Sequence, residues 1–183
     1  MKQIALASVL AAIALSAVEV RAQDTLSSWD RYTGFLLSSC ILDDLGLRSK
    51  MMAGMQAEYG AGMTERGDRD GMDFHDHPNG TTLELSASDE EVYCRVTIPA
   101  GVLDADGIEN LHADLDEQLG HKASNGAIDR SEDETGTRWS FDGTKNNRIT
   151  VTFSVREDRS LLIDSRSRIA NQTWFSDKPA DLG

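Results

Sequence analysis

Three shortages bound this chain before any motif is considered: it has no apolar run of membrane-spanning length, few basic residues and only 2 cysteines. The longest apolar run, Ile4 to Val18, falls short of the roughly 18–20 residues that cross hydrocarbon, and no later stretch approaches it. No membrane span is expected in the mature chain. Against 31 Asp and Glu stand 18 Lys and Arg, a net charge of −13. A surface this acidic offers neither phosphate attraction nor counterion release, which argues against nucleic acid and anionic membranes as partners. A cationic partner stays open, and the charge by itself favours solubility and repels self-association.

Catalytic signatures are missing as well. There is no Gly-x-Ser-x-Gly elbow, no His-Glu-x-x-His, no phosphate-binding Gly-rich loop with Lys and Ser or Thr, and no dinucleotide fingerprint. The cysteines form no Cys-x-x-Cys, and only Arg95 stands beside one of them to depress a thiol pKa. Internal repeats and low-complexity tracts are also absent from the sequence.

What is present starts at the N-terminus. Lys2 precedes the Ile4 to Val18 run, Glu19 and Arg21 close it, and Val20-Arg21-Ala22 offers small residues at a processing site. Residues 1–22 therefore read as a cleaved signal peptide, with a mature chain from Gln23 that is periplasmic or secreted. No cysteine follows the run to carry a lipid anchor. In an oxidising compartment, Cys40 and Cys94 are expected to pair as one disulfide, worth up to about 4 kcal/mol by loop closure. Asn79-Gly80-Thr81 and Asn171-Gln172-Thr173 are glycosylation acceptors if the host is eukaryotic.

Residues 23–183 read as a single α+β domain. Trp29, Tyr32, Leu36, Cys40 and their neighbours Leu37 and Ile41 recur at helical spacing, predicting a helix from Asp24 to Leu47, with Ser27 or Ser28 as its cap and Gly46 at its end. Met51, Met52, Met55 and Tyr59 suit a second short helix, and residues 60–80 read as a flexible loop. Leu83–Ala87 and Val92–Ile98 alternate as a hairpin that turns Cys94 to the core. Ile108, Leu111, Leu115 and Leu119 predict another helix over 107–119, with Asp106 and Glu109 as a capping box and Gly120 as the stop. Residues 121–137 read as a polar loop. Three strands follow, at Trp139 and Phe141, at Ile149–Val155, and from Leu161 towards Ile169, and Trp174 and Phe175 can dock the tail. The expected fold is an antiparallel sheet of about five strands with helices on one face, in the order helix-strand-strand-helix-strand-strand-strand. That order is similar to the curved α+β cones of the nuclear-transport-factor-2-like type, and the likeness implies an enclosed pocket.

Candidate sites are sparse. Asp68 to His77 is the densest run of ligand side chains, and on an extended segment His75 and His77 project the same way, as a copper or zinc site requires. Met51, Met52, Met55, Met63 and Met72 precede them as soft donors. Two histidines do not complete a site, so the alternative is a solvated loop and no cofactor. Asp68, Asp70 and Asp73, and separately Asp104, Asp106 and Glu109, group acidic oxygens but do not fit the calcium loop. His112 and His121 lie near Asp114, Asp116 and Glu117, a candidate acid/base pair on what also reads as a solvated helix face. These features together point to an exported, non-enzymatic domain that binds a protein or small ligand, as an inhibitor, adaptor or accessory subunit would. A copper- or zinc-binding protein and a small pocket enzyme are the alternatives.

Overall fold

The two periodicities sort into two helical segments and eight strands in the computed structural model, which describes residues 26–41, 62–88, 91–123, 126–143 and 147–169. Helix α1 spans Trp29–Phe35 and runs on into a π-helical turn, Leu36–Cys40, where the Ile41 amide reaches back five residues to the Leu36 carbonyl at 2.8 Å. Strands β1 (Thr64–Arg69), β2 (Met72–Asp76), β3 (Thr82–Ala87) and β4 (Glu91–Ile98) follow. Helix α2 (Ala105–Lys122) leads into β5 (Asp129–Asp133), β6 (Gly136–Asp142), β7 (Asn147–Val155) and β8 (Leu161–Ile169). All eight strands form one antiparallel sheet in the order β1-β2-β3-β4-β8-β7-β6-β5.

That order is a palindrome of two units, each a helix followed by a four-stranded meander. The units meet where β4 pairs with β8, in unbroken register from Glu91↔Arg168 to Ile98↔Leu161. The sequence carries no such repeat because the two units fill equivalent inward positions with unlike residues. Both helices lie on one face. There Tyr32, Phe35 and Leu36 of the first helical segment and Leu111, Leu115 and Leu119 of α2 are buried with the inward rows of the central strands, including Val96, Ile163, Val151 and Trp139. The opposite face is mostly polar, as the alternation along the central strands requires, with Phe74, Tyr93 and Leu162 as apolar exceptions.

Cys40, on the π-helical turn, is disulfide-bonded to Cys94 of β4, with the Cα atoms 5.3 Å apart. The α+β class, the one covered face and the hairpin carrying Cys94 agree with expectation. The strand count and element order do not. Eight strands replace five, because β1 and β2 lie within 60–80 and β5 lies within 121–137, both expected as loops. β1 and β5 are the outermost strands and present only charged, polar or glycine residues, so neither shows an apolar alternation. In β2 the inward places belong to Asp73 and His75, polar residues that hide the period. Asp70-Gly71 joins β1 to β2 with φ of 54° and 78°, the doubly positive pair that a two-residue hairpin turn needs. The element order behind the nuclear-transport-factor-2-like comparison is thus not the observed one.

The first helix is also shorter than its Asp24–Leu47 pattern, with the π-helical turn closing at Cys40; residues 24, 25 and 42–47 lie outside the described residues. So do the signal segment 1–22, the Met51–Tyr59 helix and the tail from Asn171. The cap of α2 is Asp104, whose carboxylate accepts from the Gly107 amide at 2.7 Å, in place of an Asp106–Glu109 box. Gly120 does not stop α2, which continues to Lys122.

Candidate functional site

Helix α2 buries Gly107, Leu111, Leu115 and Leu119 at four-residue steps, which turns Ile108 and His112 towards the flank facing β6 and β7. His112 Nε2 lies 2.9 Å from Thr137 Oγ1, and its ring sits 5.2 Å from that of Trp139 and 5.1 Å, edge-on, from that of Phe153. One turn further along, the Trp139 indole N–H donates to Asp116 Oδ1 at 2.5 Å, and Arg130 of β5 lies 3.2 Å from the same oxygen. These contacts tie the outer strand pair to α2 at His112 and Asp116. Towards the start of α2 an open groove of ≈ 370 Å³ separates Ala105, Ile108 and Glu109 from the β5–β6 turn, with Phe153 and Val155 of β7 lining it. Val155 is the large apolar side chain left most open among the described residues, at 53% exposure.

The β5–β6 turn is rigidly built. Asp133 Oδ1 accepts from the Thr135 amide at 2.7 Å and from its hydroxyl at 2.5 Å, and these bonds hold the Asp133 carboxyl below its usual range. Gly136 follows with φ 140°, and any Cβ there would run into the Phe153 carbonyl. The rim carries Glu132, Asp133 and Glu134 in sequence, with Asp133 held by Thr135. Glu132 pairs with Arg130 at 3.1 Å. Glu109, Asp133 and Glu134 have no basic group within salt-bridge distance among the described residues, and no Lys or Arg lines the groove.

Of the candidate site residues singled out in the sequence, Glu109 and His112 line this groove and the others are placed elsewhere. His75 and His77 do share a face, but both are buried on the helix side, with Asp73 two residues before His75. His77 Nδ1 accepts from the Asn79 amide at 3.2 Å, and the His77 amide donates to the Thr81 carbonyl at 2.8 Å. Asn79 Nδ2 in turn donates to the Leu26 carbonyl at 2.7 Å and to Tyr32 Oη at 3.0 Å, and Tyr32 Oη lies 2.6 Å from Thr81 Oγ1. This is a buried polar layer fastening the segment before α1 to the β2–β3 turn, where a solvated loop was expected. A glycan on Asn79 would take one of the two amide hydrogens and so cost at least one of these bonds.

Among the described residues no three His, Cys, Asp or Glu side chains gather for a metal ion. Asp68 and Asp70 stand exposed while Asp73 is buried, and Asp104 is engaged as a cap. Met63 and Met72 are half-buried, and Met51, Met52 and Met55 lie outside the described residues. His112 meets Thr137 rather than a carboxylate, and His121 is exposed, so neither stands in the proposed acid/base pair. The groove was missed because β5, one strand of its hairpin, carries no apolar alternation. Asp133 three residues before Gly136 was the available signal.

The open face of the sheet is an ordered polar array. Arg95 grips Asp164 with two bonds, of 2.7 and 3.1 Å, Arg168 pairs with Glu91, and Arg148 bridges Asp129 and Asp142. Tyr93 lies between the guanidinium groups of Arg95 and Arg166, 5.7 and 5.1 Å from its ring centre. Burial, with the Asp164 carboxylate adding to it, pushes the Tyr93 phenol up to about 12, and the hydrogen bond to Asp164 pushes Arg95 up. These charges are largely spent on one another. Compared with known proteins, the chain matches no family model, no curated protein and no solved structure.

Proposed function

We propose that this is an exported, non-enzymatic binding domain whose contact site is the groove between α2 and the β5–β6 turn. The observation that carries this reading is the groove itself: a concave, water-open space with an apolar floor, Ile108, Phe153 and Val155, beside a turn locked by Asp133 and Gly136. Its volume lies near the lower end of ligand sites, roughly 300–1,000 Å³, room for one or two side chains of a partner or for a small ligand. Catalysis finds less support there. The one imidazole in the groove meets the hydroxyl of Thr137, which is buried away from the open space, and two aromatic rings, and among the described residues no carboxylate is hydrogen-bonded to it to orient it as a base.

Export is supported by the Cys40–Cys94 disulfide, which an oxidising compartment favours, and no described helix is long and apolar enough to cross a membrane. The test is amide chemical-shift mapping of the mature protein against a panel of short peptides and small fragments. Shifts should cluster at Ile108, His112, Thr137 and Val155. Clustering at Tyr93 and Arg166 would move the site to the open face of the sheet.

Copper or zinc binding at His75 and His77 is the second reading, favoured by the two imidazoles sharing one face of the chain. Calorimetric titration of either metal should then show binding near or tighter than about micromolar, lost in the His75→Ala, His77→Ala variant.

A further inference from the structure

We infer that the groove recognises a cationic peptide segment of a protein partner, one that places an apolar side chain on the floor and a lysine or arginine at the rim. This inference rests on the binding role proposed above. The floor decides the apolar half: the half-buried Ile108 and the 53%-exposed Val155, beside the buried Phe153, present carbon surface to water, and covering such surface is favourable. The rim decides the charge. Glu109 on one bank and Asp133 and Glu134 on the other are carboxylates without a cation in reach among the described residues, and no basic side chain lines the space between them.

The nearest guanidinium, that of Arg130, is taken up by Asp116 and Glu132. An acidic or phosphorylated partner would meet three uncompensated negative charges there. A neutral apolar partner would leave them uncompensated. A lysine or arginine beside the seated apolar residue answers both features. Its long carbon stem can lie along the floor while the charged head stays at the rim in water. Attraction from a chain of net charge −13 would also speed the encounter, in a manner that salt weakens.

The experiment uses three short synthetic peptides, each alternating leucine with lysine, glutamine or glutamate, titrated calorimetrically into the mature protein. The lysine peptide should bind about tenfold tighter than the glutamine peptide at low salt, with the gap closing near about 0.5 M salt. In the Glu109→Gln, Glu134→Gln variant the lysine peptide should weaken about fivefold while the glutamine peptide is unchanged. A matched Glu65→Gln, Asp68→Asn variant on β1 should leave both unchanged. Equal weakening in the β1 variant would mean attraction to the whole acidic chain and would overturn the inference. Equal affinity for the lysine and glutamine peptides would overturn the cationic partner and leave the groove's binding role standing. No binding of any peptide would overturn the peptide partner, and shift mapping with small fragments would then decide the groove's role separately.

Discussion

In the first half of the sheet a covalent bond and a buried polar layer add to the apolar burial of Phe35 and Leu36; in the second the helix is held by leucines and rings, with no covalent bond and, among the described residues, with polar ties only at His112 and Asp116. The Cys40–Cys94 bridge and the Tyr32–Asn79–Thr81 hydrogen bonds fasten the α1 side. Leu111, Leu115 and Leu119 fasten α2, packed over the inward row that holds Trp139 and Phe141. The same place in the fold, the second strand of each meander, faces inward with Asp73 and His75 in one half and with Thr137, Trp139 and Phe141 in the other. Buried polar groups must be satisfied one by one, so the first half leaves little slack. Apolar packing has no such demand, and on α2 it stops at Gly107 and Leu111, where the helix and the β5–β6 turn part to form the groove.

The largest expected effect breaks the second half. Leu115→Ala should cost about 2–5 kcal/mol in denaturant unfolding, because a fully buried leucine between helix and sheet leaves a cavity. A loss under about 1 kcal/mol would show that α2 packs far more loosely than its burial implies.

Breaking the first half should come next. Reducing the disulfide, or replacing both cysteines with serine, removes up to about 4 kcal/mol of loop constraint, and for a domain this size that corresponds to roughly 8–16 °C in melting temperature. An unchanged melting temperature would mean that the polar layer and the buried face of α1 hold it without the bridge.

A pair of glycines sharpens the comparison between the two outer hairpins. Gly136→Ala combines a strained φ with a collision against the Phe153 carbonyl and should cost about 1–3 kcal/mol. Gly71→Ala meets nothing within 4 Å and should cost about 1 kcal/mol from its positive φ alone. Equal losses, read from urea midpoints, would contradict the tight seating of the β5–β6 turn against β7.

The smallest effect concerns the seam between the halves, at Tyr93. Its folded pKa is raised to about 12 by burial first and the Asp164 carboxylate second. A raised pKa means that the fold favours the protonated phenol. The contribution is thus complete below about pH 10, where the unfolded phenol begins to ionise, and is lost as pH climbs towards 12. Tyr93→Phe should flatten the fall in stability over that interval, and an unchanged slope would remove Tyr93 from the account.

How much of this was legible follows from where apolar residues stand. Val92, Cys94, Val96 and Ile98 alternate, and so do Ile149, Val151 and Phe153, so the centre of the sheet and the face of the disulfide could be read directly. The outer strands could not, since β1 and β5 bury no apolar row and β2 buries a carboxylate and an imidazole. Asp70-Gly71 was a hairpin signal obscured by its charged surroundings. The shared direction of His75 and His77 was legible from two-residue spacing. Their burial was not, because it depends on Tyr32 and Thr81, which are 49 positions apart, closing one layer. The groove lies between segments that no local pattern connects.

The account turns on the space beside Ala105, an exposed residue at the first position of α2 that lines the groove without supporting the core. Ala105→Trp fills that space and should leave the melting temperature within about 2 °C of wild type, as an exposed substitution does. Affinity for the leucine–lysine peptide, measured calorimetrically on both proteins, should fall at least about tenfold, or about 1.4 kcal/mol. A filled groove that still binds the peptide with wild-type affinity would contradict the central claim.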